Sequence, residues 1–217
     1  MCFSATASFI AGSALSAVGV VTIKKAKGKA EIPFAAIPLL FGIQQLTEGF
    51  VWLSVRFDIV WLNTSATFIY ALFAFVLWPV YVPFAVRSLE TVLWRKKLLL
   101  LFQLLGIAVS AYLLYFHIKI PVTAQVINKS IAYAAPHFYT FWVLIFYFTA
   151  AVISTFFSSQ KFINILGVLI GISAIASYLF YAVSFASVWC FFAAILSVLV
   201  LWYFKRKPVA ERRVETG

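Results

Sequence analysis

Charge is what this chain has least of. Only 11% of its 217 residues are charged, where a soluble domain carries about 25%. Acids are scarcest, six against 17 lysines and arginines. A chain so poor in charge cannot clothe a core with hydrated surface, which excludes an ordinary water-soluble domain. Two cysteines allow at most one bridge, which excludes a disulfide scaffold. The two histidines stand far apart, with no HxxxH or HExxH spacing to force them onto one helix face.

What is there instead is apolar length. Hydrophobic residues make up 65% of the chain, and the mean hydropathy is +1.04. A span needs about 20 apolar residues. Seven such runs fit, at about 3–22, 33–55, 64–86, 98–118, 138–158, 162–182 and 184–204. The expected fold is therefore all-α: one seven-helix membrane domain over 1–204, followed by a basic tail over 205–217.

The formal charge of +11 is unevenly distributed. Lys24, Lys25, Lys27 and Lys29, then Arg87, Arg95, Lys96 and Lys97, then Lys161, and finally the tail all fall on one side. Only Arg56, Lys119 and Lys129 fall on the other. The positive-inside rule places the N-terminus outside and the tail in the cytoplasm. These charges set topology and attract anionic lipid; no nucleic-acid partner is expected. No cleavable signal peptide is expected either, because no basic stretch precedes Phe3.

The longest outer loop, about 119–136, is expected to form a short amphipathic helix at the interface. Ser4, Ser8, Gly12 and Ser16 recur every fourth residue, a ridge that lets helix backbones approach closely; Gly167 and Gly171 do the same in the sixth run. Pro79 and Pro83 are expected to kink or unwind the third span. Trp52, Trp61, Trp94, Trp189 and Trp202 sit near span ends, where indoles anchor to the interface.

Glu48 interrupts the second span. A carboxylate at membrane depth is costly and marks a functional site facing the protein interior. Gln44, Gln45, Glu48 and Trp52 share one helical face by their spacing. His117 ends span four and His137 opens span five, on the same outer side. Cys2, Tyr178, Trp189 and Cys190 also belong to outer half-helices. Two imidazoles and a carboxylate form a familiar set for a catalytic metal, with zinc or copper as candidates. Cys2 is a candidate fourth ligand; Gln44, Gln45, Trp52, Tyr178, Trp189 and Cys190 are candidate substrate contacts. Cys2 and Cys190 are either a disulfide or two free thiols.

Several strings are not generic membrane sequence: Met1-Cys2-Phe3-Ser4-Ala5, the stripe Gln44-Gln45 with Glu48-Gly49, Trp78-Pro79, and Ser187-Val188-Trp189-Cys190-Phe191-Phe192-Ala193-Ala194. Together they resemble a family of small multi-pass prokaryotic membrane proteins known as a domain of unknown function. The resemblance covers nearly the whole chain and implies a prokaryotic cytoplasmic membrane protein, without implying an activity. A looser likeness is to membrane zinc hydrolases of the ceramidase and progestin-receptor type. The chain departs from their pattern, having no Asp within a span and no His in span seven.

The leading expectation is a metal-dependent membrane enzyme, using copper for redox or zinc for hydrolysis of a small or lipid-like substrate at the outer face. Glu48 is its general base or ligand. The rival is a carrier in which Gln44, Gln45 and Glu48 bind a cation or polar solute. The third reading is a scaffold that binds a partner. The oligomeric state is left open.

Overall fold

The computed structural model describes residues 4–127 and 129–206. Helix α1 (Ala5–Lys25) starts at Ser4, whose hydroxyl accepts from the Ala7 N–H at 3.2 Å, a serine N-cap. Lys24 and Lys25 close its last turn, where cations suit the helix dipole. Helices α2 (Ile32–Ala35) and α3 (Ile37–Arg56) follow almost without a break. Pro33 and Pro38 stand near their starts, where the missing N–H costs nothing.

Helix α4 (Val60–Ala71), a π-helix (Leu72–Leu77) and α5 (Trp78–Leu89) form one continuous rod. Helix α6 (Leu93–Lys119) packs along α5. Helix α7 (Phe141–Ala151) runs on into a 3₁₀ segment, Ile153–Phe157. Helices α8 (Lys161–Tyr181) and α9 (Phe185–Arg206) meet at a 3₁₀ turn, Ala182–Ser184.

Among the described residues, five helical stretches are long and apolar enough to cross a membrane: Ala5–Lys25, Lys29–Arg56, Val60–Leu89, Leu93–Lys119 and Lys161–Arg206. Phe141–Phe157 is a shorter apolar helix. The last long stretch folds back on itself. Phe162 stacks on Tyr203 with ring centroids 5.0 Å apart, and the Trp189 indole N–H donates to the Ile170 carbonyl at 3.3 Å.

The small-residue ridge of α1 packs on α3. A Cβ added to Gly12 would lie 2.8 Å from the Leu46 backbone nitrogen, and one on Gly42 would lie 2.6 Å from that of Ser16. This close approach holds α3 in the middle of the molecule, against α1, α4 and α9.

The prolines of the third span act through the π-helix. The Tyr147 hydroxyl donates to the Ala74 carbonyl and the Ser110 hydroxyl to that of Val76, each at 2.6 Å. Side chains of neighbouring helices thus take up backbone acceptors, as lipid-embedded backbone requires. Proline at 83 has no N–H for the carbonyl of Pro79. That carbonyl lies against Gly106, where any Cβ would collide with it.

The outer loop corrects one expectation. Instead of an interfacial helix it forms an antiparallel hairpin, β1 (Thr123–Ile127) and β2 (Ser130–Ala134). The β-branched Thr123, Val126, Ile127 and Ile131 suit a pleated strand, and Lys129 takes the left-handed conformation at the turn, φ 61. The fold is therefore helical with one small sheet. Strand β2 is almost wholly buried, while β1 lies outside it. The Ser130 and Ser184 hydroxyls are hydrogen-bonded at 2.7 Å, tying the hairpin to the α8–α9 turn.

Trp61, Trp94 and Trp202 are exposed on the helix surfaces, as interface anchors should be. Trp189 departs from that expectation. It is buried, stacked on Phe148 with centroids 4.9 Å apart and on Phe185 at 5.4 Å.

Candidate functional site

Helix α3 carries Gln44, Gln45 and Glu48 into the interior, and all three are fully buried. Their spacing puts the three polar groups on one face; α4 and α9 pack on α3, and α5 reaches it through Trp78. From α9, the Ser187 hydroxyl donates to Glu48 Oε1 at 2.6 Å. At the start of α5, the Trp78 indole N–H donates to Gln44 Oε1 at 2.9 Å. The π-helix just before it delivers Trp78 to this point, while Phe41 stacks on its ring at 3.9 Å.

Tyr70 of α4, fully buried, and Gln45 also lie against the Glu48 carboxylate. Cys190, a buried free thiol one turn beyond Ser187, lies beside Gln44, Glu48 and Tyr70. The hairpin closes the outer end: Tyr133 stacks on Tyr70 with centroids 4.4 Å apart and rings 8° from parallel.

This cluster is short of partners. Glu48 Oε2, Gln44 Nε2 and both polar atoms of the Gln45 amide are buried and make no hydrogen bond with a described residue. Each orphaned polar group costs about 1–3 kcal/mol. Several adjoining on one face single this cluster out as the candidate site.

Below the cluster, an apolar cavity of about 60 Å³ runs between α3, α5, α8 and α9. Cys190 and Trp78 stand at its outer end, and Phe34, Val86, Ile163 and Ser197 line the remainder.

The other sequence candidates lie elsewhere. The His117 ring is 3.1 Å from the Phe68 carbonyl through Nε2 and stacks on the Phe68 ring at 4.4 Å. His137 stacks on Phe116 at 3.9 Å. The two histidines share a cavity of about 20 Å³ that none of Glu48, Gln44, Gln45 or Cys190 lines. The structure brings the histidines together, but not to the carboxylate. Among the described residues, no three His, Cys, Asp or Glu side chains converge as a metal site would require. Cys2 lies outside the described residues. Tyr178 is 62% exposed, its ring edge-on to Phe185 rather than beside Glu48. Trp52 is half-buried, one turn beyond Glu48, with its indole nitrogen buried and unpaired among the described residues.

Sequence reasoning passed over Ser187 and Tyr70 as site residues. The available signal was spacing: Tyr70, Ala74 and Trp78 recur every fourth residue on one face, and Ser187 precedes Cys190 by one turn.

A second buried carboxylate stands at the opposite end. Glu90, between α5 and α6, accepts from the N–H groups of Thr91 at 3.0 Å, Val92 at 2.9 Å and Ser159 at 2.7 Å. Arg95 beside it donates to the Ser158 carbonyl at 2.8 Å. Burial pushes the Glu90 carboxyl up, but the hydrogen bonds from Ser159, Val92 and Thr91 outweigh it and hold the group below its ordinary value.

Apolar helices of membrane-crossing length around a buried polar cluster define the class: a helical protein with five stretches able to cross a membrane and an internal polar cluster. The chain belongs to a family of unknown function, DUF6629, whose family model matches residues 1–215. No curated protein and no solved structure matches it.

Proposed function

We propose that this protein is a carrier of the prokaryotic cytoplasmic membrane that takes a cation or small polar solute through the Glu48 site. In this reading the chain crosses the bilayer seven times, the 161–206 hairpin contributing two passes and Phe141–Phe157 one. The N-terminus faces outward, and the tail lies in the cytoplasm.

One observation carries the proposal. Glu48 is fully buried, Ser187 donates to one of its oxygens, and among the described residues its other oxygen and the Gln45 amide have no partner within hydrogen-bond distance. A bare carboxylate in such surroundings must be compensated by a proton or by a cation. Exchanging one for the other is the elementary step of a coupled carrier. The π-helix and the two prolines beside the site are the irregular backbone that transporters place around theirs.

The metal-dependent enzyme has less support. It needs His117 and His137 at Glu48, and both are stacked elsewhere; Cys2, its candidate fourth ligand, lies outside the described residues. Its test is elemental analysis of the purified protein for stoichiometric copper or zinc, lost on Glu48→Gln.

The carrier reading is tested in proteoliposomes that trap a pH-sensitive dye. Methylammonium and small alkali cations are added outside, and proton release is followed for wild type and Glu48→Gln. Flux in the wild type and none in Glu48→Gln is the expected result. Equal traces for the two proteins sink the proposal.

A further inference from the structure

The two glutamines beside Glu48 are held differently. Both are fully buried, and neither polar atom of Gln45 has a partner at hydrogen-bond distance among the described residues. Gln44 is held at one end. The Trp78 indole N–H donates to its Oε1 at 2.9 Å, while its Nε2 is buried with no partner at that distance among the described residues. An indole N–H donates and never accepts. The two ends of an amide have nearly the same shape, so its partners decide which way it faces. With Trp78 in place, the Gln44 oxygen faces the indole. The NH₂ group is left on the side of Cys190, which lies beside Glu48 as well. The opposite orientation would set N–H against N–H and strand the buried indole donor.

Trp78 is itself held from several sides. It is 4% exposed, and its ring stacks on Phe41 with centroids 3.9 Å apart and planes 19° from parallel. Phe41 and Gln44 stand one turn apart on α3. One helix thus supplies both the surface that holds the ring and the oxygen that takes its N–H. The Tyr81 ring lies edge-on to the indole at 6.3 Å, and its hydroxyl donates to the Pro33 carbonyl at 2.8 Å. The π-helix ahead of Trp78 is fixed in turn by Tyr147 and Ser110 on its carbonyls. Whatever sets the direction of the indole also sets which end of the Gln44 amide looks into the cluster.

Resting on the carrier reading, we propose that Trp78 is a positioning residue that tunes the hold of the Glu48 site on its cation. It keeps a hydrogen-bond donor, with its partial positive charge, where an acceptor would bind the cation more tightly. A cation beside Glu48 then relies on the carboxylate and the Gln45 oxygen, and the Gln44 NH₂ group opposes it. That opposition serves transport, because a cation held too firmly does not leave.

The test is equilibrium binding of radiolabelled methylammonium to the protein in nanodiscs, with binding to empty nanodiscs subtracted. Trp78→Phe keeps a ring on Phe41 and removes the N–H. The Gln44 amide is then free to turn its oxygen into the cluster, and binding should tighten by about tenfold. In proteoliposomes the same variant should show a lower KM and a lower maximal flux, the mark of slowed release. A role for Trp78 in packing alone predicts the reverse, weaker binding. In a Gln44→Leu background, Trp78→Phe should change nothing. Gln44→Glu makes the same point with Trp78 intact, should Trp78→Phe fold poorly. It leaves one oxygen for the indole, puts another in place of the NH₂ group, and should tighten binding at least as much.

Unchanged or weaker binding in folded Trp78→Phe overturns the inference, as does tightening that persists without the Gln44 amide. Unchanged or weaker binding in Gln44→Glu does so too. The two proposals fail separately. Glu48-dependent flux that responds to neither variant leaves the carrier standing and removes the role of Trp78. Glu48-dependent binding that tightens in both variants, with no methylammonium moved across the vesicle, leaves that role and removes the carrier. No Glu48-dependent binding in any of these proteins removes both.

Discussion

Glu48 and Glu90 are both buried carboxylates, and they are treated in opposite ways. Glu90 accepts three backbone N–H groups and ties the α5–α6 connection to that between α7 and α8. Glu48 accepts from the Ser187 hydroxyl and has only side chains, Tyr70 and Gln45, against it, with one oxygen lacking a partner at hydrogen-bond distance among the described residues. A fold that satisfies one buried acid so fully has the means to satisfy the other. Glu90 is a fastening between connections, whereas Glu48, met by side chains alone, is the acid the carrier proposal rests on.

The sharpest way to break this contrast is to neutralise each acid. Glu48→Gln should abolish coupled flux while leaving unfolding in detergent within about 1 kcal/mol of wild type, since an uncharged isostere costs less to bury. A large loss of stability would make Glu48 a fastening like Glu90. Gly106→Val should be nearly as drastic in the other direction. Any side chain there meets the Pro79 carbonyl, so little folded protein should be recovered by size-exclusion chromatography.

Glu90→Ala should destabilise the protein by about 3 kcal/mol, because it strands buried N–H groups, yet leave the affinity for methylammonium unchanged. Acid should reproduce part of that loss. The folded value of Glu90 is depressed, so its contribution is complete above the unfolded value of about 4.3 and disappears as pH falls through the folded one. Thermal unfolding across pH 6 to 3 should show a wild-type decline that is smaller in Glu90→Ala. The smallest effect belongs to Ser187→Ala, which removes the hydroxyl that donates to Glu48 Oε1. It should weaken cation binding by about tenfold, a little over 1 kcal/mol, with little change in stability.

The two ends of the molecule were also unequally legible. Glu48 announces itself, because one carboxylate in an apolar run is a rare event with few explanations. Gln44 and Gln45 follow by spacing. Ser187 and Tyr70 offer spacing alone, a weak signal, because a hydroxyl on an apolar helix is commonplace and can satisfy itself on its own backbone, as Thr22 does on Val18. The histidines show the limit of topology. Reading a helix direction gives depth in the bilayer, but not which way round the bundle a side chain points. His117 and His137 proved to be neighbours of each other and of Phe68 and Phe116. The hairpin was missed because five residues of alternation are a weak signal beside long helices. Glu90 was invisible as a fastening, since its main partners are backbone N–H groups.

The π-helix at Leu72–Leu77 has a consequence for chain length. A turn of this kind holds one residue more than an α-turn, so a deletion inside it can be absorbed by tightening the coil. In the part of the rod before it, Val60–Ala71, losing one residue changes the rotation between that segment and everything beyond by about 100°, which sets the Tyr70 and Trp78 contacts against each other. Of all the places where this rod could lose a residue, 72–77 is where a single-codon deletion should leave a folded protein.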